Sequence, residues 1–351
     1  MRALFFAFLV TGLLFSCDAG APTSPSTVLT GEYLARENAG LPLDARLTDF
    51  SIDAQNTPLA RFTPYGTYSY SVSSKKWFKI PDFTMTQTFD GNIFVLRNGD
   101  VILTDTSANG ALNLVRRKNG TTIFDPLPTL PAIPGISHNS SALQMDGLGN
   151  IYVGVDLLTL NNKAVWQCYF LGKNDSSWSV VSLPSDKQHN EVHFETDKSG
   201  DYVYAYSHGN GLFRVRAGDK AFERTMDFTT AGIKAMELTR SPAGQLYLFH
   251  SNHVLSALSS SGTSLELPDI TMPAIYNALS IAWSGNSTAY VLAGKTSAPT
   301  SPSWTLLQLT TGSTTWRPLG LVGSNNQLFV SPDGTFYLRR NLASEVYRIA
   351  P

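Results

Sequence analysis

The sequence predicts an all-β chain folded as a β-propeller of seven four-stranded blades, with the ring closed by a strand from the N-terminal end. Three observations predict it. One turn-and-strand motif recurs at intervals of about 40 to 56 residues, the span of a four-stranded blade. No stretch of ten or more residues shows an apolar stripe of helical period with caps. Charged residues make up only 15% of the 351, and Gly, Ser, Thr, Asn and Tyr take their place, which suits many short strands and turns.

In chain order, the first element is Met1-Arg2-Ala3, then Leu4 to Phe15 with almost no polar residue, then Ser16-Cys17. One positive charge, an apolar run and a small residue before a cleavage point form the layout of a secretory signal peptide. The run is shorter than the roughly 20 residues a spanning helix needs. Leu14-Phe15-Ser16-Cys17 resembles the bacterial lipobox, with Phe15 bulkier than that pattern usually has. The resemblance implies that residues 1–16 are removed and that Cys17 carries lipid. An ordinary signal peptide with a chance cysteine is the other reading. Asp18 to Thr27 reads as a polar tether, so that 17–27 links the lipid to a single propeller domain over 28–351. Lipidation also accounts for the cysteine count, because only Cys168 would remain and no disulfide is expected. The expected location is a bacterial cell envelope, with the choice of membrane and leaflet left open.

The repeat is explicit in Asp146-Gly-Leu-Gly-Asn-Ile-Tyr-Val153, Asp197-Lys-Ser-Gly-Asp-Tyr-Val-Tyr204, Ser241-Pro-Ala-Gly-Gln-Leu-Tyr-Leu248 and Ser331-Pro-Asp-Gly-Thr-Phe-Tyr-Leu338. Asp90-Gly-Asn-Ile-Phe-Val95 and Ser284-Gly-Asn-Ser-Thr-Ala-Tyr-Val291 read as looser copies. Each has an alternating strand before it, a tight turn in which Gly supplies a positive φ, and then a strand of Tyr or Phe with Val or Leu. Third strands follow at Ala164 to Leu171, Gly211 to Val215, Ser303 to Leu309 and Glu345 to Ile349. An aromatic then opens the fourth: Trp178, Phe222, Trp316 and, in the first unit, Trp77. Arg46 to Asp82 can supply one more blade ahead of the six visible units. The last unit ends after three strands, so its fourth is expected near Thr27 to Arg36, which removes the open sheet edges. Between Asp90 and Pro128 the blade can begin at Asn92 or at Asp100, which leaves six or eight blades as alternatives. A sandwich is the rival architecture, but it does not call for one four-strand order six times.

The Asp-x-x-Gly-Asn-Ile-Tyr-Val pattern resembles bacterial envelope propellers of the NHL, gluconolactonase-like and sensor-propeller types. The motif is a structural turn and implies no chemistry. Thr311-Gly-Ser-Thr-Thr-Trp316 resembles the docking motif of quinoprotein propellers at one place only, and Trp316 reads as a packing residue. The net charge of −1 and the absence of basic clusters exclude a nucleic-acid surface or a polybasic membrane patch. Membrane contact is thus expected through the lipid alone, and the domain is expected to be a monomer.

Candidate site residues come from aligning the units on their turns. Asn139, Asn190, Asn277 and Asn326 stand seven positions before Asp146, Asp197, Ser284 and Asp333, at the start of strands expected to line the central channel. Lys234 takes that place in the remaining unit. The asparagines can grip a polar ligand or a hard cation with their amides, or simply start each strand by bonding neighbouring backbone. His189-Asn-Glu191-Val-His193-Phe-Glu195 would put two imidazoles and two carboxylates on one strand face. His138-Asn139 repeats the His189-Asn190 pair one blade earlier. Resemblance to gluconolactonase-like propellers implies a divalent ion, calcium for example, on the channel axis with Glu191, Asn190, Asn139 and Asn277 as ligands. No cofactor is otherwise implied, and no nucleophile elbow, P-loop or zinc-protease motif occurs. Arg116-Arg117, Arg214, Arg216 and Arg339-Arg340 fall on second or third strands, away from the axis.

These features favour a non-catalytic binding or scaffold propeller with a protein, peptide or glycan ligand. The alternative is a metal-dependent hydrolase or lactonase. Anchoring is directly testable: Cys17→Ser should convert a membrane-bound protein into a soluble one or an uncleaved precursor. A processed form of the variant that still fractionates with membranes contradicts lipidation.

Overall fold

Several strands are buried along their whole length rather than on alternate residues. Pro58–Thr63, Val101–Thr106 and Tyr202–Ser207 each keep at most one residue in contact with solvent. A strand of this kind belongs to a sheet covered on both faces, so each sheet has to be stacked between two others. The computed structural model describes residues 29–349 except 36–39, 43, 82–90, 108–109, 133–136, 159–163, 185–191, 208–209, 229–234, 251–253, 272–275, 296–303, 311, 323–325 and 341–344.

Seven antiparallel sheets of four strands are formed. β1 (Glu32–Tyr33) belongs to the last of them. Sheet I holds β2 (Arg46–Ile52), β3 (Pro58–Thr63), β4 (Gly66–Ser71) and β5 (Lys76–Lys79). Sheet II holds β6 (Ile93–Val95), β7 (Val101–Thr106), β8 (Leu112–Arg117) and β9 (Phe124–Pro126). Sheet III holds β10 (Ser137–Met145), β11 (Ile151–Leu158), β12 (Ala164–Leu171) and β13 (Ser179–Val181). Sheet IV holds β14 (Val192–Thr196), β15 (Tyr202–Ser207), β16 (Gly211–Arg216) and β17 (Glu223–Asp227). Sheet V holds β18 (Ala235–Arg240), β19 (Leu246–His250), β20 (Val254–Leu258) and β21 (Leu265–Thr271). Sheet VI holds β22 (Tyr276–Trp283), β23 (Ala289–Lys295), β24 (Trp304–Leu309) and β25 (Arg317–Val322). Sheet VII holds β26 (Asn326–Val330), β27 (Phe336–Arg340) and β28 (Glu345–Ile349), completed by β1 on the outside of β28. The chain is therefore a seven-bladed propeller.

The first strands of neighbouring sheets lie against one another, as with β2 and β6, β10 and β14, β22 and β26, and β26 and β2, so they form the inner wall. The core is divided the same way, into one apolar cluster for each contact between adjacent sheets. Leu59 and Ile80 of sheet I pack with Ile93 and Leu103 of sheet II, for example, and Phe50 and Trp77 of sheet I pack with Tyr337 and Val346 of sheet VII. The recurring tyrosine after each turn serves these contacts. Tyr152 meets Phe222, Tyr247 meets Trp283, Tyr290 meets Phe336 and Tyr337 meets Phe50, with ring centroids 4.7 to 6.2 Å apart. Trp77, Phe222 and Trp316 are buried in the same clusters, as expected of packing residues.

The turns explain why Asp and Ser alternate in the motif. Asp146 Oδ1 accepts from Leu148 N and Asn150 N at 3.0 and 2.9 Å. Its Oδ2 accepts from Asn150 Nδ2 at 2.8 Å and from Gly218 N of the next sheet at 2.9 Å. In sheet VII, Ser331 passes the same role to Asp333, whose carboxylate accepts from both Ser331 Oγ and Thr335 N. The fourth turn residue has a positive φ in every sheet, and it is Gly99, Gly149, Gly200, Gly244 and Gly334 in five, Asn56 and Ser287 in the others.

One sequence expectation is corrected. Gly91 is no turn glycine, and the blade starts at β6, with its turn at Leu96-Arg97-Asn98-Gly99-Asp100. Gly91 is instead required by close approach, since a Cβ there would lie 2.1 Å from Thr104 O and 2.5 Å from Arg61 Cζ. Asp90 lies outside the described residues.

Closure takes the expected form. β1 pairs with β28, Glu32 opposite Arg348 and Tyr33 opposite Tyr347. Leu34, 2% exposed, packs into the cluster shared by sheets VII and I, and its carbonyl accepts from Trp77 Nε1 at 3.4 Å. Glu32 holds Lys75 of sheet I at 2.8 Å. Leu34→Ala should therefore cost about 2–5 kcal/mol in a denaturant melt. Deleting residues 18–45 should destabilise the domain further, whereas deleting 18–26 should leave the melting temperature unchanged. Equal melting temperatures for the two truncations would contradict closure by this segment.

Candidate functional site

An innermost strand has a partner strand on one side only, so its other edge faces the channel with backbone groups that the sheet ladder does not use. Its side chains can be numbered backwards from the turn residues Asp53, Leu96, Asp146, Asp197, Ser241, Ser284 and Ser331. Three places back stand Phe50, Ile93, Leu143, Phe194, Leu238, Ile281 and Leu328, all buried in the contacts between sheets. Four places back stand Asp49, Asn92, Ala142, His193, Glu237, Ser280 and Gln327. Six of these seven are polar: His193 and Gln327 are exposed, Asp49, Asn92 and Glu237 are half-buried, and Ser280 is half-buried with its hydroxyl oxygen turned away from solvent. This ring is the candidate site. Sequence reasoning missed it by counting seven places back, into a stretch where extra residues disturb the register.

Those extra residues are β-bulges, at Thr48, Ser141, Met236 and Leu279. Asn139 and Asn277 consequently fall on the same step of the ladder, opposite Asp156 and Gly294. Asn326 lies opposite Arg340 in a strand without a bulge, one step nearer its turn, because the turn residue of sheet VII is Ser331 and not Asp333. It is thus the counterpart of Ser140 and Ala278. His138 is in β10, opposite Leu157. His189, Asn190, Glu191 and Lys234 lie outside the described residues. His193 and Glu195 do share a face of β14, between buried Val192, Phe194 and Thr196. His193 stacks on Tyr206 at 6.0 Å, and Glu195 pairs with Arg240 of sheet V at 3.4 Å.

Two ring carboxylates approach the backbone of the next sheet at equivalent places. Asp49 of sheet I accepts from Ile93 N of sheet II at 2.5 Å, and Glu237 of sheet V is close enough to the Ile281 N–H of sheet VI to feel its pull. Both N–H groups stand three places before their turns, on the edge facing the channel. Arg339 corrects the expectation that it lies away from the axis. Its Nη2 donates to Leu47 O and Thr48 O, at 3.3 and 2.8 Å, serving the carbonyls at the β2 bulge, and its Nη1 is 3.9 Å from Asp49.

Burial pushes the Asp49 carboxyl up to about 6, against the pull of the Ile93 and Phe50 N–H groups, Arg339 and Arg61. Burial pushes Glu237 up to about 7, opposed by the Ile281 N–H and reinforced by the charge of Glu195. Glu195 is raised as well, chiefly by burial, with Arg240 opposing. Among the described residues no three carboxylate, imidazole or thiol groups converge as metal ligands would. Cys168 is buried and its thiol is pushed up, so it packs as an apolar residue.

No family model matches the chain, and no curated protein matches it. Solved structures do. The chain is similar to "YCF48 bound to D1 peptide", with a TM-score of 0.58 and 13% identity over 94% of this chain and 98% of that one. It is also similar to YCF48 from Cyanidioschyzon merolae, with a TM-score of 0.56 and 10% identity over 92% and 99% of the two chains. At these identities the likeness is one of fold, and that fold is a propeller.

A carboxyl with a raised folded-state pKa binds its proton more tightly when folded. Its stabilising contribution is complete below its unfolded value and is lost as pH rises through the folded one. Glu237 should thus make the protein less stable between about pH 4.5 and 7 as pH increases. Glu237→Gln keeps an acceptor for Ile281 N without the charge. It should match the parent at pH 4 and exceed it by roughly 1–3 kcal/mol at pH 8 in denaturant melts. A constant difference at both pH values would contradict this assignment.

Proposed function

We propose that the protein is a non-catalytic binding or scaffold module, held in a bacterial cell envelope by lipid on Cys17, and that its ligand is a peptide segment of another protein taken at the channel. The observation that carries this reading is the polar ring four places before the turns. It presents acceptors at Asp49 and Glu237, an imidazole at His193 and amides at Asn92 and Gln327, all on rigid strands around one axis. An extended peptide offers both donors and acceptors along its backbone, which suits such a mixed ring and the strand edges beside it that have no partner strand. The similar propeller captured with a peptide supports the choice of a peptide over a glycan. Asn139, Asn190, Asn277 and Asn326, with His138, His189 and Glu191, belong to the rim of the same channel in this reading.

The test is a peptide array against the lipid-free domain, followed by calorimetry on the best binder. Gln327→Ala and Asn92→Ala should each weaken binding about 2- to 10-fold, since one hydrogen bond contributes about 0.5–1.5 kcal/mol net. Thermal shifts with calcium and with EDTA, beside an esterase and lactonase screen, cover the other reading. Calcium-dependent stabilisation lost in Glu191→Gln, together with turnover by the parent, would replace the binding module with a metal-dependent hydrolase.

A further inference from the structure

A cavity lies at the turn end of the ring, away from the channel rim. The turns of sheets II, III and IV surround an open cavity of about 440 Å³, lined by Arg97, Asn98, Arg116, Asp146, Lys173 and Ser199 among others. A volume of this order suits a small ligand. The polar groups around it are unevenly committed. The Asp146 carboxylate already accepts four hydrogen bonds and is 4% exposed. Ser199 Oγ donates to Asp197 and accepts from Asp201 N. Arg116 is bound to Asp100 at 2.5 and 2.7 Å. What is left over is cationic.

Arg97 reaches past sheet III to donate from Nη1 to the backbone carbonyl of Asp197, at 3.0 Å. Among the described residues neither it nor Lys173 forms an ion pair, although the Asp197 carboxylate is near enough for its charge to act on Arg97. Both side chains are seated over glycine turns. Arg97 Nη1 lies 3.1 Å from where a Cβ of Gly200 would be, and Lys173 Cδ lies 3.4 Å from that of Gly149. The two positive-φ glycines that the turns require therefore also open the space in which the cations lie. Arg240, the guanidinium paired with Glu195, adds positive potential on Arg97, opposed by the charge of Asp197.

We propose that this cavity binds a small polyanion, one oxyanion group of which is shared by Arg97 and Lys173. Carboxylates and phosphates offer the same acceptor chemistry here, and a guanidinium and an ammonium lining one cavity serve both. The site is independent of the channel reading, because it shares no residue with the polar ring and needs no peptide.

The probes are citrate and inorganic phosphate, titrated calorimetrically into the lipid-free domain at constant ionic strength set with sodium chloride. Saturable binding of at least one is expected, and the stronger of the two identifies the oxyanion. Lys173 is exposed, so Lys173→Gln should fold normally and weaken binding at least 5-fold. Arg97→Gln should do the same, while Lys79→Gln, an exposed lysine on β5, should change nothing. Absence of saturable binding by both anions, or undiminished affinity in Lys173→Gln, overturns the proposal. Neither result bears on peptide capture at the channel.

Discussion

Every sheet in this protein has two apolar faces, and only another sheet can cover either. That constraint produces the ring. The fully buried strands β3, β7 and β15 leave no face for solvent, so a linear stack would end in two exposed apolar surfaces. Closing the stack on itself removes both ends, and the core accordingly consists of contacts between sheets rather than one central cluster. The same constraint explains why β1 comes from the opposite end of the chain. Sheet VII lies between sheets VI and I, and the outermost place beside β28 is taken by Glu32–Tyr33 while Leu34 fills the contact with sheet I.

A ring assembled this way must also fix the angle between neighbours, and polar groups do this at its turn end. Asp146 binds the turn of its own sheet and Gly218 of the next. Gly147 N donates to Gly200 O, Gly285 N to Pro332 O, and Asp333 N to Asn56 Oδ1, each across a sheet boundary. The buried pair of Arg61 and Asp105, 2.6 Å apart, joins sheets I and II in the interior. A pair like this adds less to stability than its Coulomb energy suggests, because both charges are desolvated. Its geometric effect is definite: Arg61 also donates to Thr104 O and occupies the space that makes Gly91 necessary.

These relations determine what could be read in advance. The turn motif was legible because it is local. In most sheets one carboxylate or hydroxyl satisfies nearby amides and a residue of positive φ completes the bend, so the same few letters recur, although sheet II opens its turn on Leu96. Seven blades followed from six recurring units and the strands that Arg46 to Asp82 could supply, and closure followed from a last unit of only three strands. Sheet II was misread because Gly91 imitates a turn glycine while serving a contact with Arg61, more than 25 residues away in sequence. The channel ring was missed for a related reason. A β-bulge adds a residue without changing the hydrophobic pattern around it, so the ladder step beyond position four depends on whether a strand carries one, as β10 does and β26 does not. Arg339 could not be placed either, because the bulge carbonyls that receive it belong to a strand almost 300 residues earlier.

Comparing neighbouring positions of the inner strands separates folding from function. Three places before the turn the residue is always large, apolar and buried, since there it enters the contact between sheets. One place further back the seven residues are Asp, Asn, Ala, His, Glu, Ser and Gln, with no common size or charge. Folding thus dictates one position and leaves its neighbour free. Asp49 and Glu237 do approach the next sheet, but the other five sheets supply no carboxylate at that place, so the contact is not a condition of the ring. Burial in the channel also works against the charged form of both, which is why their pKa values are raised. A ring wall needing only stability would be served better by neutral side chains at those two places. Polar variety where the fold requires none, and carboxylates where burial disfavours their charge, are what a ligand in the channel would use.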